Sequence, residues 1–461
     1  MNSIYRVGRT WSVVSALIFT SLLTACDDEE PALPDNIIKF SATEVGISPN
    51  EDELEVIIQF SRAIDQATTI ELEFEGEGVD YGTDFTTEPA ASGNTIALNV
   101  PAGSTTTSFT VRKTEGLLLD GDESLTIALA GAGTLVTGDA SIIVIAFDEI
   151  LSTGATMDIN GGGATYPNKV FIDLSANRQT AVDRNAWDLG FYSGDEFRVV
   201  LNSSVNMLAR AIDKTDITTV TAADTIGFKA IMAVGNSATH AALPWVDDPS
   251  GALGGTAIAA ISATASENYV YILNRGSSAK SWKKIRIMRS TTGYTMQYAD
   301  IDAVTFTEIS IPKSTTHLFE HVSIENGVVS AEPEKDKWEI AWTYFVNRTG
   351  TGVDEIPYGF QDVVLTNRHG VEVAKVLTSA VTYDAFDADG IAALTFNSST
   401  QLSIGSDWRK TNPAPASAYD DRFYVVHDAA GNYYKLKFTS ITKDGVRGTP
   451  QIRYDLVKSG E

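Results

Sequence analysis

The chain has 461 residues, 43% hydrophobic and 20% charged, which suits a folded protein of about three domains rather than a disordered one. With 34 Lys and Arg against 60 Asp and Glu its formal net charge is −26, so no basic face is available to neutralise nucleic-acid phosphates. A lone cysteine excludes a disulfide framework, a cysteine-ligated zinc and a c-type haem.

Arg6 and Arg9 precede an apolar run from Trp11 to Leu23 that is too short for a permanent membrane span. This order predicts a secretory signal over residues 1–25. Leu23-Thr24-Ala25-Cys26 resembles a bacterial lipobox, which implies that Cys26 becomes the lipidated mature N-terminus. Asp27-Asp28-Glu29-Glu30 resembles the acidic export signal of lipoproteins that reach the outer face of the outer membrane in some Gram-negative lineages. Together with Pro31 to Pro34 it makes residues 26–35 an acidic, proline-bearing tether. The expected location is the cell outer membrane, lipid-anchored and surface-exposed.

Residues 36–149 read as a β-sandwich. Leu54, Val56, Ile58 and Phe60 alternate with Glu55, Ile57 and Gln59, the period-2 pattern of a half-buried strand. Ile70-Leu72-Phe74, Phe109-Val111 and Leu125-Ile127-Leu129 repeat it, and Ser141 to Phe147 is a nearly continuous apolar run. Gly78-Val79-Asp80-Tyr81-Gly82-Thr83-Asp84-Phe85, Val100-Pro101-Ala102-Gly103-Ser104 and Leu119 to Leu129 resemble the Calx-beta family. Some members of that family bind calcium with acids at loop tips, and calcium favours six to eight oxygen ligands. The resemblance implies Asp84, Asp120, Asp122 and Glu123 as calcium candidates, with a spacer role as the plainer alternative.

Beyond Asn160-Gly161-Gly162-Gly163 the sequence repeats itself. Trp187-Asp188-Leu189-Gly190-Phe191-Tyr192 is answered by Trp338-Glu339-Ile340-Ala341-Trp342, and Phe197 to Asn202 by Phe360 to Asn367. Tyr269 to Gly276 is answered by Phe423 to Asp428. The spacing predicts two copies of one antiparallel β unit, over 154–313 and 314–461, with a short helix or loop insertion at Val220–Met232. The whole chain is therefore expected to be all-β, an Ig-like sandwich followed by two further β units.

Asn185 to Tyr192 with Arg198 to Asn202, the Trp338 strand, and Arg422 to Phe438 resemble the HmuY family of haem-binding lipoproteins. That resemblance implies all-β units that take haem from a host haemoprotein or relay it to an outer-membrane receptor. The paired histidines of the best-known member do not carry over, because neither Trp408 to Pro415 nor Trp245 to Pro249 contains a histidine. The haem-ligand candidates are then His240, five residues before Trp245, together with Met207 and His321. His317 and His321 share one face of an expected strand but sit about 13 Å apart along it, at ~3.3 Å per residue, too far to grip one iron.

Signatures of catalysis are missing: there is no Gly-x-Ser-x-Gly elbow and no His-Glu-x-x-His. The reading is a non-enzymatic surface lipoprotein that captures haem or a related tetrapyrrole. The alternative is an adhesion or interaction protein that uses the same fold without haem, for which Tyr358, Tyr433 and Tyr434 would offer contact surface.

Overall fold

The alternation at Leu54, Val56, Ile58 and Phe60 becomes the buried face of the strand Glu53–Phe60. That strand lies mid-sheet between Thr106–Lys113 and Ile37–Phe40. A second five-stranded sheet, centred on Ser124–Gly131 between Ile142–Ala146 and Thr68–Glu77, faces it. One apolar core fills the space between, with Phe40, Phe60, Phe85, Phe109 and Phe147 almost fully buried. The expected sandwich is present.

The computed structural model describes residues 34–47, 51–114, 123–147, 151–412 and 414–460. The signal segment, Cys26, nearly all of the tether, Asp120 and Asp122 lie outside the described residues. Among the described residues, no helix is long and apolar enough to cross a membrane. Residues 36–461 form one unit.

The repeated region is all-β, and the expected strands appear within a few residues of their sequence-based bounds. Its connectivity differs from two copies side by side. Each repeat begins with a hairpin, Asn168–Asp173 with Arg178–Asp183 in the first and Phe319–Ser323 with Gly327–Val329 in the second. Each hairpin is followed by a strand pair, Leu189–Tyr192 with Val199–Leu201 and Ile340–Thr349 with Ile356–Thr366. The hairpins are exchanged. The first pairs with Ile340–Thr349 of the second repeat, in the register Ile172↔Ile340, and the second pairs with Leu189–Tyr192 of the first, in the register Val322↔Leu189.

The exchange gives two four-stranded sheets, each backed by a five-stranded one. The sheet of Leu189–Tyr192 shares a core with the sheet running from Leu208–Ile212 to Thr307–Pro312, through Leu189, Phe191, Leu273 and Ile285. The sheet of Ile340–Thr349 packs on the sheet containing Tyr433–Lys443 and Val446–Lys458, through Ile172, Trp342, Tyr434 and Tyr454. That second sheet also takes Gly154–Asp158, which pairs with Val446–Lys458. Strand pairing thus crosses the 313/314 boundary that the repeat suggested: one body is continuous over 187–329, and the other is made of segments on both sides of it. The reason is register. A hairpin buries the same apolar face against either copy of the Trp-acid strand, so a sequence repeat does not specify which copy it joins.

The Val220–Met232 segment forms a 3-10 turn, Ala222–Thr225, and a single helical turn, Phe228–Ile231. It covers the outer face of the Val270–Asn274 strand through Phe228, Met232 and Val220.

Candidate functional site

The two Trp-acid strands start from equivalent corners. Asn202 Nδ2 donates to the carbonyls of Arg184 and Trp187 at 2.7 and 2.8 Å. Asn367 Nδ2 donates to those of Lys335 and Trp338 at 2.8 and 2.7 Å. The acid after each tryptophan accepts a backbone N–H from the exchanged hairpin, Ile324 to Asp188 at 2.9 Å and Leu174 to Glu339 at 2.6 Å. Both acids are buried. Trp187 and Trp338, 6% exposed each, are the core anchors that a large aromatic at a strand start would be expected to make.

A cleft opens between the two four-stranded sheets. Its inner chamber, about 70 Å³, is lined by Lys169, Trp187, Asp247, His321, Glu332 and Arg368, so both repeats contribute. An adjoining groove of about 210 Å³ shares Phe319, Arg368, Gly251 and Gln401 with it and adds Tyr192 and Leu253. Arg368 stays open to solvent, donates to the Gly251 carbonyl at 2.6 Å and lies 4.7 Å over the Phe319 ring.

The chamber holds charge under strain of desolvation. Glu332 is 7% exposed and its Oε1 has no hydrogen-bond partner. Burial pushes its carboxyl up against the opposing pull of Lys169 and Arg368. Burial lowers the Lys169 amine to about 8, against the pull of Glu332. Asp247 is raised to about 6 by burial, although the N–H groups of Ala257 and Leu201 hold its two oxygens. His321 is lowered to about 3 by burial and by Lys169 and His317, so its imidazole is neutral. Its ring meets Trp187 edge to face at 4.5 Å, and a Cβ on Gly190 would stand 3.5 Å from its Nε2. The sheet of Ile340–Thr349 places Phe171 and Ala341 at the corresponding pair. Lys169, Asp247, Glu332 and Arg368 escaped the sequence reading. Lys169 stands just before the apolar run Val170-Phe171-Ile172, where its charge carries no special signal.

The three haem-ligand candidates do not converge. Met207 is 1% exposed inside the core of Leu189 and Leu273. His321 lines the chamber. His240 is exposed at the start of the 3-10 helix His240–Trp245, where its Nδ1 donates to the Glu355 carbonyl at 3.1 Å. Trp408, the counterpart of the family's ligand segment, is buried with its Nε1 on the Asp362 carbonyl at 3.0 Å and its ring stacked on Phe438. Of the calcium candidates, Asp84 accepts the Asp80 N–H at 2.8 Å across its own turn, and Glu123 lies beside Gly78. Among the described residues no group of three or more His, Cys, Asp or Glu could hold a metal ion. Of the tyrosines offered as contact surface, Tyr434 is fully buried, while Tyr433, stacked on His427, and Tyr358, packed on Phe360, remain half-buried.

Layered antiparallel sheets with a polar cleft at one seam make this an all-β protein. The model of the family described as HmuY protein matches residues 165–454, so the chain belongs to the HmuY family. One match runs across both repeats. Solved structures similar to parts of the chain include the apo form of the Calx CBD1 domain, at 19% identity and a TM-score of 0.22, covering 25% of this chain and 96% of that one. The calcium binding domain CBD12 of CALX1.1 is 14% identical over 32% of this chain and 74% of its own, with a TM-score of 0.21. A putative carbohydrate binding protein from Bacteroides ovatus is 10% identical over 71% of this chain and 97% of its own, with a TM-score of 0.18. No curated protein matches the sequence significantly.

Proposed function

We propose that this protein is a surface-displayed capture protein whose cargo is haem or a related tetrapyrrole. Membership of the HmuY family is the observation that carries the reading. Lipid anchoring at Cys26, display at the outer membrane, and transfer between a host haemoprotein and an outer-membrane receptor belong to the same proposal. The groove beside Tyr192, Leu253 and Phe319 is its candidate seat, with Arg368 available to a propionate. His240, Met207 and His321 lie in different settings and together make no two-ligand iron clamp. Contact with the ring and its carboxylates, with His240 as the exposed imidazole among the three, is what this chain offers instead.

Haemin titration of the chain beginning at Asp27, followed by Soret absorbance in both oxidation states, tests the reading. Saturation at one equivalent, weakened by Arg368→Ala, is expected. Non-saturating binding would overturn it. A sharpened six-coordinate spectrum lost in His240→Ala would put iron ligation back at that residue.

A further inference from the structure

The inner chamber holds a carboxylate and an ammonium that face the same space without touching. No ion pair joins Glu332 to Lys169, although each shifts the other's protonation electrostatically. Glu332 Oε1 is buried with no hydrogen-bond partner, and a buried acceptor left unmade costs on the order of 1–3 kcal/mol. Lys169 Nζ lies 4.4 Å from the centre of the Phe171 ring, a contact that leaves its hydrogen-bonding capacity largely unused. Arg368 closes the third side, shared with the adjoining groove. Within the fold these groups satisfy one another poorly.

We propose that this chamber is a binding site for a small zwitterion with an α-amino-acid head group: the ammonium donates to Glu332, and the carboxylate is held by Lys169 and Arg368.

Size agrees with chemistry. A cavity needs about 10–15 Å³ to admit one water, so a chamber of about 70 Å³ has room for a small polar head group and not for a large ligand. The side chain of the ligand would extend past Phe319 into the 210 Å³ groove. A neutral sugar would leave both charges uncompensated, while a simple anion would face Glu332 and a simple cation would face Lys169 and Arg368. The site does not depend on the tetrapyrrole reading.

Calorimetric titration of the chain from Asp27 with single free L-amino acids tests the proposal, with the matching N-acetyl amino acid amides and glucose as neutral controls. At least one amino acid should saturate at one equivalent, and its acetylated amide should not bind. Glu332→Gln and Lys169→Met should each weaken binding about tenfold or more, the loss of one charged hydrogen bond, while an unchanged melting temperature shows the fold intact. If either variant fails to fold, competition by the acetylated amide decides, since a charge-held head group is not displaced by it. Absence of saturation by every amino acid, binding of glucose in their place, or full affinity in folded Glu332→Gln overturns the proposal. Haemin binding by Glu332→Gln reads the capture function separately, because Glu332 lines the chamber and not the outer groove.

Discussion

The two Trp-acid corners have the same backbone and opposite electrostatics. In the first, Asp188 is fully buried but meets Arg275, whose Nε and Nη2 reach its two oxygens at 2.9 and 2.7 Å. Glu325 takes the other edge of the same guanidinium at 2.6 and 2.5 Å. In the second, the position of Arg275 is held by Asp428, and Asp173 stands where the first has Ser323. Burial, Asp173 and Asp428 therefore all push the Glu339 carboxyl well above its ordinary range, opposed by the Leu174 N–H. One corner sets a cation against its acid, while the other sets two further acids beside it, which favours the uncharged carboxyl. Hydrogen-bond geometry alone can be inherited through a repeat while the charge that completes it is chosen separately in each copy.

The broadest way to break the comparison is to separate the copies. Residues 184–331 contain every strand of the Leu189 body, whereas 154–313 lack the Phe319–Ser323 hairpin and leave Asn168–Asp173 without its partner strand. The 184–331 fragment should unfold cooperatively, and 154–313 should show no thermal transition by circular dichroism. Cooperative folding of 154–313 would mean that each hairpin can close on its own repeat.

Arg275→Met removes the cation from a carboxylate with no solvent access and should destabilise the chain by about 3–5 kcal/mol in denaturant titration, softened by Lys280 at 3.5 Å. Adding Asp188→Asn should restore much of the loss. A single-variant cost below about 1 kcal/mol would show that the first corner also tolerates its acid unpaired.

His321 gives a smaller effect with a pH signature. Its folded value, near 3, lies below the unfolded value of about 6.5, so its contribution is present above that pH and is lost as pH falls through the window. At pH 5 this amounts to roughly 2 kcal/mol, and His321→Phe, the residue type found at Phe171, should recover it there with little change at pH 8. Equal effects at both pH values would place the cost in packing.

Glu339 runs the other way and is smallest. Its folded value lies above the unfolded one of about 4.3, so the contribution is full below that pH and is lost as pH rises through the folded value. Glu339→Gln, which copies the uncharged form, should raise stability in denaturant titration more at pH 8 than at pH 4. Loss of stability at pH 8 would mean that the corner relies on the ionised acid after all.

The strands were legible because one face of each is apolar at period 2, and this survives in any topology: Lys169 to Leu174 and Phe423 to His427 fall within two residues of the observed strands. The repeat was legible too, through the tryptophan, acid and asparagine that build each corner. What the chain order could not convey was which hairpin joins which strand, because both copies offer the same apolar face and the choice is made by packing over more than a hundred residues of separation. The cleft was hidden for the same reason. Lys169, Glu332 and Arg368 lie far apart in sequence and meet only where the two exchanged sheets face each other. Composition, strand periodicity and the repeated corner were set by the sequence itself; the partner of each hairpin, the charge that completes each corner and the contents of the seam were decided by tertiary structure, where burial makes an unmatched charge expensive.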